Sequence, residues 1–228
     1  LMVSDNSIAR WRDYIQESLV GNRIFSSIVG TFSGKYVRLF VEKTEKGYRK
    51  DFQEFSIELK KASHFTDMVT HNPLKGYFDR IEIKEGDHVI DAGSFPGEFA
   101  VVAARKGATV TALEPDPENA DMLRENLKLN GVKDRVDVVE KGLWKEKDRK
   151  NFHRDSALGM ASRINESSEI TIQLDNLDSI AEKHGDPDLV KMDIEGAEIK
   201  ALEGAEEVLE NVRPVFEIAT YHFMEGRK

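Results

Sequence analysis

The sequence predicts an α/β fold in which a doubly wound, mostly parallel sheet follows a small N-terminal α+β extension. After the first third of the chain, short apolar runs alternate with helical patterns, which is typical of parallel strands joined by right-handed crossovers. The first of these runs, 89–91, leads into a turn bounded by Gly93 and Gly97, which favours a nucleotide pocket at the strand end. We therefore expect residues 1–72 to form the extension and residues 73–228 the functional domain.

The N-terminal extension begins with a helical pattern whose apolar face is formed by Ile8, Trp11, Ile15 and Leu19. Residues 35–59 suit a β-hairpin around Gly47, but the spacing of Phe52 and Phe55 also suits a helix, and both alternatives stay open. A further helix is predicted to begin at Pro73, because proline is favoured in the first helical turn.

The sheet domain continues with strands that we predict at 109–113, 136–139, 170–174, 189–193 and 214–219. Asp116 caps the helix that follows the first of these strands, Pro117 begins that helix, and Gly131 ends it. A single helix before the last strand is expected to carry a buried stripe of Ile199, Leu202, Val208 and Leu209.

Composition limits the class of protein. The 228 residues are 39% hydrophobic, which suffices for one sizeable core, and they include no cysteine, so disulfides and thiolate metal sites are excluded. That composition fits a cytoplasmic protein. The net charge of -9 argues against a general nucleic-acid binder. No apolar run approaches the ~18 residues of a membrane span, so we expect no membrane association.

The glycine turn differs from a dinucleotide-binding fingerprint, because Phe95 stands where the second glycine would be. Glu114 ends the next strand, roughly twenty residues after the turn, where a ribose-binding acid is expected. An ordinary tight turn between strand and helix is the alternative interpretation of this stretch.

Two longer motifs resemble a known family. VIDAGSFPGEF at 89–99 resembles motif I of class I S-adenosylmethionine-dependent methyltransferases, and LVKMDIEGAE at 189–198 is similar to the signature of their FkbM-type branch. Weaker matches are ITIQLDNL at 170–177 and PVFEI at 214–218. The resemblance covers residues 76–219 and implies a Rossmann-like class I methyltransferase fold that uses S-adenosylmethionine. Motif I departs from the family where Ser94, Phe95 and Pro96 replace the usual small residue, Asn and following residue.

The resemblance implies a set of cofactor-binding residues. Gly93, Ser94 and Gly97 would surround the methionine moiety, and Asp91 would brace the loop or meet the ligand amine through water. Glu114 would accept hydrogen bonds from both ribose hydroxyls, as a carboxylate can. Two residues just past the third strand of the sheet, Gly142 and Leu143, would contact adenine.

The candidate catalytic residues are Asp193 and Glu195, at the carboxyl end of a central strand, and His222 after the last strand. Asp193 would act as a base, position the acceptor, or bind a hard cation such as Mg²⁺. Alignment of the reactants can contribute ~7–11 kcal/mol and a general base about 10²–10⁴-fold, so positioning is expected to dominate. A helix-capping role for the Asp-x-Glu-Gly turn is the alternative.

The resemblance implies O-methylation of a hydroxyl on a glycan or small-molecule metabolite. The segment 141–154, KGLWKEKDRKNFHR, has six Lys or Arg against two acids, interleaved with Trp144 and Phe152. It is interpreted as a basic loop, which would suit an anionic acceptor or, in the alternative function, an RNA methyltransferase. A solvated loop without a ligand and a cofactor-binding module without catalysis are the remaining alternatives.

The end of the chain predicts an incomplete sheet. Class I methyltransferases usually add two more strands after the one ending near Ala219, but only 220–228 follow, which is too short at ~3.3 Å per residue. A missing C-terminal hairpin is the favoured explanation, and cover by residues 35–59 is the other. A homodimer that buries this edge would protect it from aggregation.

Overall fold

The computed structural model describes residues 41–52, 55–60, 78, 80–153, 163–164 and 170–219. The chain divides into two compact units, formed by residues 1–51 with 58–80 and by residues 52–57 with 81–228. The helices predicted around Ile8 and from Pro73, together with His222 and the C-terminal tail, lie outside the described residues. The predicted domain boundary after residue 72 stays a prediction.

Residues 41–60 contain three short strands, β1 (Glu42–Lys43), β2 (Tyr48–Asp51) and β3 (Ser56–Leu59), in the order β1-β2-β3. Strands β1 and β2 are antiparallel and enclose Gly47, whose carbonyl accepts a hydrogen bond from Thr44 N at 3.0 Å. Of the two alternatives for this segment, the structure therefore contains the hairpin. Ile57 and Leu59 alternate with exposed or half-buried residues on β3, as one buried face of a strand requires.

The second unit contains, in chain order, β4 (His88–Ala92), α1 (Glu98–Arg105), β5 (Thr109–Leu113), α2 (Pro117–Leu129), a 3₁₀ turn (Lys133–Arg135), β6 (Val136–Val139), β7 (Gly142–Leu143), β8 (Asp148–His153), β9 (Arg163–Ile164), β10 (Ile170–Asp175), α3 (Leu177–His184), β11 (Leu189–Met192), α4 (Glu198–Leu202), a π-helical turn (Val208–Val212) and β12 (Val215–Ile218). The predicted cap of α2 is present, since the Asp116 carboxylate accepts a hydrogen bond from Glu118 N at 2.9 Å.

Five strands form a parallel sheet in the order β12-β11-β4-β5-β6, which confirms the doubly wound α/β prediction. From β4 the chain adds β5 and β6 on one side, whereas β11 and β12 lie on the other. The order therefore reverses between β4 and β11, and the carboxyl ends of these strands border the crevice in which such sheets bind ligands. Buried side chains of both strands, including Ile90 and Met192, belong to one apolar core, and this packing holds the two strand ends in place.

A second sheet has the order β7-β10-β8-β9, in which β7 is parallel to β10 and the other pairs are antiparallel. The interpretation of residues 141–154 as a loop was wrong for most of the segment, because 142–143 and 148–153 are strands. Cross-strand pairing overrides the high local charge, since Phe152 of β8 is buried in one apolar cluster with Ile172 and Leu174 of β10.

The prediction of a single helix that contains Ile199 and Leu209 was also wrong. Helix α4 ends at Leu202, and both of those side chains are exposed, at 55% and 41%. The break occurs at Gly204, where a Cβ atom would lie 2.7 Å from the carbonyl oxygens of Trp144 and Lys145. The next turn begins where the Asp178 carboxylate accepts hydrogen bonds from two successive backbone amides, at 3.2 and 3.0 Å.

Within the described residues, β12 is at the end of the sheet, and residues 41–60 pair among themselves and not with it. Cover of this edge by residues 35–59 stays a prediction. The missing hairpin and the homodimer stay predictions. Among the helices that the structure describes, none combines the length and apolar character needed to cross a bilayer.

Candidate active site

The glycine turn after β4 and the Asp-x-Glu-Gly turn after β11 touch each other at the crevice. Gly93 N and Ser94 N donate hydrogen bonds to Leu113 O of β5 at 3.0 and 3.1 Å, and Asp193 N donates to Ala92 O at 3.1 Å. Gly93 has a φ of 73°, and a Cβ atom on it would lie 2.0 Å from Asp193 O. Glycine is therefore required by both the backbone angle and the close approach.

The far end of the glycine turn is held by α2. Asn126 Nδ2 donates a hydrogen bond to Pro96 O at 3.0 Å, and the Phe95–Pro96 peptide is cis. Gly97 has a φ of 110° and precedes the first residue of α1, with Leu123 Cδ1 2.7 Å from the position of a Cβ atom. The turn is thus fixed by contacts on both sides, as a preformed binding loop requires.

Asp91 is fully buried below this turn. Its Oδ2 accepts a hydrogen bond from Ser94 Oγ at 2.7 Å, and its Oδ1 lies 3.0 Å from Lys191 Nζ. Of the two roles predicted for Asp91, the structure contains the loop brace. Ser94 is only 2% exposed and its hydroxyl is directed to Asp91.

Lys191 and Glu98 belong to the same cluster, although the sequence analysis did not identify them. Burial by itself lowers the pKa of Lys191, but the carboxylates of Asp91, Asp193 and Glu98 outweigh it, so that the net pKa is raised. Burial raises the pKa of Glu98 to about 7, although Lys191 opposes this. Among the described residues, Glu98 Oε2 is shielded from solvent without a hydrogen-bond partner.

A signal for Lys191 exists in the sequence. A lysine inside the apolar run 189–192 is unusual, because lysine is almost never buried unless it is paired. Glu98 gives a weaker signal, since an acid in the first turn of a helix is common in proteins.

Glu114 lies beside the glycine turn at the end of β5, as predicted. It is 5% exposed, and its Oε1 accepts a hydrogen bond from Asp116 N at 3.0 Å. Burial raises its pKa to about 7, while hydrogen bonds from the backbone amides of Asp116 and Phe95 and the side chain of Asn119 lower it. The carboxylate therefore faces the same loop as Gly93.

The turn after β11 carries the candidate catalytic acids. Asp193 and Glu195 are half-buried, and Glu195 has a φ of 56°, which is uncommon for a residue other than glycine. Glu198, which is fully buried, accepts a hydrogen bond from Ile194 N at 3.0 Å and so fixes the turn. Asp193 lies close enough to Lys191 and Glu98 to influence the pKa of both side chains. The catalytic roles of Asp193 and Glu195 and the helix-capping alternative stay untested.

Gly142 and Leu143 lie in β7, which pairs with the end of β10. Leu143 is 2% exposed and packs in the main core, so a contact with adenine would have to use its backbone. Their adenine-binding role stays a prediction. His222 lies outside the described residues, so its position relative to the site stays untested.

Three lysines in the described part of the basic segment form ion pairs with acids. Lys141 Nζ lies 2.6 Å from the buried Asp175 carboxylate, and Lys145 and Lys150 pair with Glu146 and Asp148 at 3.0 and 2.8 Å. Lys150 also lies over the Trp144 ring, 5.3 Å from its centroid. These ion pairs reduce the attraction that the segment could exert on a polyanion.

A metal site was one of the predicted roles of Asp193. In the ranges that the structure describes, no group of three or more His, Asp or Glu side chains is placed to hold a metal ion. The carboxylates of the crevice are instead organised around Lys191.

The raised pKa values predict how stability varies with pH. Glu98 and Glu114 titrate near pH 7 in the folded protein and near 4.5 in the unfolded chain, so between these values the folded state binds more protons. The free energy of unfolding contributed by each group therefore falls as pH rises from about 4.5 to about 7, by roughly 1–3 kcal/mol. Glu98→Gln should make the protein more stable than wild type at pH 8 by roughly that amount, measured by urea denaturation.

The control for this prediction is Glu118→Gln, which removes an exposed carboxylate from α2. Its stability difference from wild type should stay the same at pH 5 and pH 8. A Glu98→Gln difference that is equally independent of pH would contradict the raised pKa of Glu98.

Comparisons with known proteins agree with this geometry. The methyltransferase FkbM domain family matches residues 86–228, which include both turns and every described site residue. The hexuronic acid methyltransferase AglP of Haloferax volcanii is 27% identical over 214 residues, 90% of this chain and 78% of that protein. The ribosomal protein L11 methyltransferase of an Exiguobacterium species is 38% identical over 78 residues, 34% of this chain.

The chain spans only 23% of the length of that L11 methyltransferase. A crystal structure of methyltransferase FkbM from Methylobacillus flagellatus KT aligns with a TM-score of 0.49 and 19% identity, covering 71% of this chain and 43% of that one. Because the family match covers more than half of the chain and contains both turns that form the crevice, this protein belongs to the methyltransferase FkbM domain family.

Proposed function

We propose that this chain transfers a methyl group from S-adenosylmethionine to a hydroxyl oxygen of a sugar, within a glycan or a small metabolite. The observation that carries the proposal is the close approach of Gly93 and Asp193 at the switch point of the parallel sheet, with Glu114 hydrogen-bonded to the same glycine turn. The similarity to a hexuronic acid methyltransferase over 90% of this chain supports a sugar acceptor.

The residues present fit this cofactor. Three carboxylates, Asp91, Asp193 and Glu98, surround a single lysine, so negative charge exceeds positive charge in the crevice. That excess complements the sulfonium and ammonium groups of the ligand. Gly93 leaves the backbone open where any side chain would collide with Asp193 O.

S-adenosylmethionine, when bound, supplies an electrophilic methyl group on a sulfonium. The chain has to hold the acceptor oxygen in line with that group, exclude water and remove the hydroxyl proton. Asp193 is proposed to accept the hydrogen bond of the hydroxyl and then its proton, with Glu195 holding the acceptor. His222 remains a further proposed contact with the acceptor.

The proposal is tested first by calorimetry with S-adenosylhomocysteine and then by transfer of labelled methyl groups to oligosaccharides that contain uronic acid. Mild alkali releases the label from a methyl ester but not from an ether, so the product shows which oxygen was methylated. Cofactor binding without transfer to any acceptor would favour a module without catalysis. Absence of cofactor binding would contradict the proposal.

An RNA acceptor is not favoured, because three of the lysines that would form its basic surface are paired with acids. RNA binding would weaken steeply with salt as counterions compete for the many phosphates, whereas binding of a sugar with few charged groups would weaken far less. The predicted cytoplasmic location remains part of the proposal.

Glu114→Gln is expected to weaken S-adenosylhomocysteine binding by about tenfold. The amide keeps the shape of the side chain but loses the charge-assisted hydrogen bonds to two ribose hydroxyls, worth about 1.5–3 kcal/mol. Because the charged form binds, wild-type affinity should also increase as pH rises from about 6 to about 8 through the raised pKa. Calorimetry at several pH values measures both effects, with Glu118→Gln as the control. Equal affinity of the Gln variant and wild type would remove Glu114 from the ribose site.

A further inference from the structure

Lys191 is a charged residue inside the parallel sheet for which the proposed reaction assigns no role. It lies on β11 and is 5% exposed. In the register between β11 and β4, it stands opposite Asp91. Burial of a lysine costs several kcal/mol unless partners compensate it, so its position requires a reason.

Lys191 contacts the glycine-turn motif at several points. Its Nζ donates hydrogen bonds to Gly93 O at 2.8 Å and to Ala92 O at 3.4 Å, and it lies 3.0 Å from Asp91 Oδ1. The ring of Phe99, on α1, is 5.9 Å from the same atom. One side chain thus ties strand β11, which leads to Asp193, to the loop at the end of β4.

We propose that Lys191 is a positioning residue of the cofactor site, which holds the Asp91 carboxylate and the Gly93 carbonyl so that the turn is preformed for the methionine moiety of S-adenosylmethionine. This inference rests on the proposed function. It also explains why the two motifs occur together in this chain, because neither turn alone contains both the lysine and its acceptors.

The geometry favours positioning over direct contact with a ligand. An ammonium group has three N–H donors, and three protein oxygens lie within 3.4 Å of Nζ. Two hydrogen bonds and one ion pair therefore engage the ammonium group within the protein. The Gly93 carbonyl accepts a hydrogen bond from Lys191, and the Gly93 amide donates one to Leu113 O. Both backbone groups of this glycine are therefore held.

The charge of Lys191 taken alone would weaken cofactor binding, so its removal by itself would raise the affinity. Removing one positive charge from the crevice favours the ammonium group of either ligand and the sulfonium group of S-adenosylmethionine. However, a buried carboxylate that loses its cation takes up a proton, which cancels most of that gain. No other group replaces the contacts of Lys191 with the Gly93 carbonyl and Asp91. Loss of the preformed turn should therefore determine the change in cofactor affinity.

The test begins with Lys191→Met, titrated with S-adenosylhomocysteine beside wild type. We expect a roughly ten- to hundredfold loss of affinity with the circular dichroism spectrum of the folded protein retained. The control is Thr111→Val, which removes a hydrogen bond of 2.9 Å to His88 inside the same sheet, away from the crevice. It should lose stability but keep its affinity. Binding by wild type in this titration tests the proposed function separately.

Because the chain contains no cysteine, Lys191→Cys introduces a single thiol that allows chemical rescue. The variant is unfolded and alkylated either with bromoethylamine, which restores an ammonium at the length of lysine, or with iodoacetamide, which adds a neutral amide. Both adducts are refolded beside wild type treated in the same way. We expect both to fold and the aminoethyl adduct alone to regain affinity.

Unchanged or tighter binding by Lys191→Met would overturn the proposal, as would equal affinity of the two adducts. A loss of affinity that only follows loss of folded structure would also overturn it, because the lysine would then serve the fold and not the site.

Discussion

Replacement of Gly93 by alanine is expected to abolish cofactor binding and to lower the free energy of unfolding by at least ~2 kcal/mol. Two costs combine at this position. The φ of 73° disfavours any residue with a Cβ atom, and that atom would lie 2.0 Å from Asp193 O. Relief of the collision must separate the glycine turn from the turn after β11, which would move Asp193 and the acceptors of Lys191.

Gly131→Ala is the matched control, because Gly131 has a φ of 70° and no atom within 4 Å of its Cβ position. It should show the conformational cost alone, about 1 kcal/mol, with cofactor affinity unchanged. Denaturant titration measures the free energy of unfolding of both variants, and calorimetry measures their cofactor affinity. The difference between the variants separates the cost of the backbone angle from that of the collision with Asp193 O. If the two alanine variants behaved alike, the close approach of Gly93 to Asp193 would be contradicted.

The second large effect is expected for Asp193→Asn, which should lower kcat by about 10²–10⁴-fold. The amide keeps the shape of the side chain but cannot accept the proton of the hydroxyl, so the loss falls on the transition state. Affinity for S-adenosylhomocysteine should change far less than kcat. The measurements are steady-state methyl transfer and calorimetry, with the exposed Asp186→Asn as the control.

The identity of the methylated oxygen sharpens this test. A hydroxyl needs a base as the methyl group arrives, whereas the carboxylate of a uronic acid is already deprotonated at neutral pH. An alkali-stable ether product together with a large effect of Asp193→Asn would support the proposed role. Full activity of the variant on a hydroxyl acceptor would remove Asp193 from proton transfer.

Several features of this protein follow from local sequence. The runs that become β4, β5, β6 and β11 are strands of a parallel sheet and are rich in apolar residues, so their positions are readable. The cap at Asp116 depends on neighbouring residues only, and the glycine turn has a recognisable local sequence pattern. For this reason the fold class, the crevice and the place of Glu114 could be predicted without a structure.

Other features depended on contacts between distant segments. The break near Gly204 arises from the approach of the Trp144 and Lys145 carbonyls, whereas the local pattern favoured one continuous helix. The charged segment 148–153 forms a strand because β10 offers a partner for its backbone and a neighbour for Phe152. Periodicity contains no information about either contact, since both partners lie far away in the chain.

The electrostatics of the site also depended on contacts between distant segments. Sequence by itself identified Asp91 and Asp193 as candidates, because acids at the ends of apolar strands form a recognisable local pattern. Only the tertiary structure placed Lys191 opposite Asp91 and brought Glu98 beside both, since strand register and helix packing determine which charges meet. A pKa depends on burial and on neighbours in space, so the proton-binding properties of this crevice were decided by the fold.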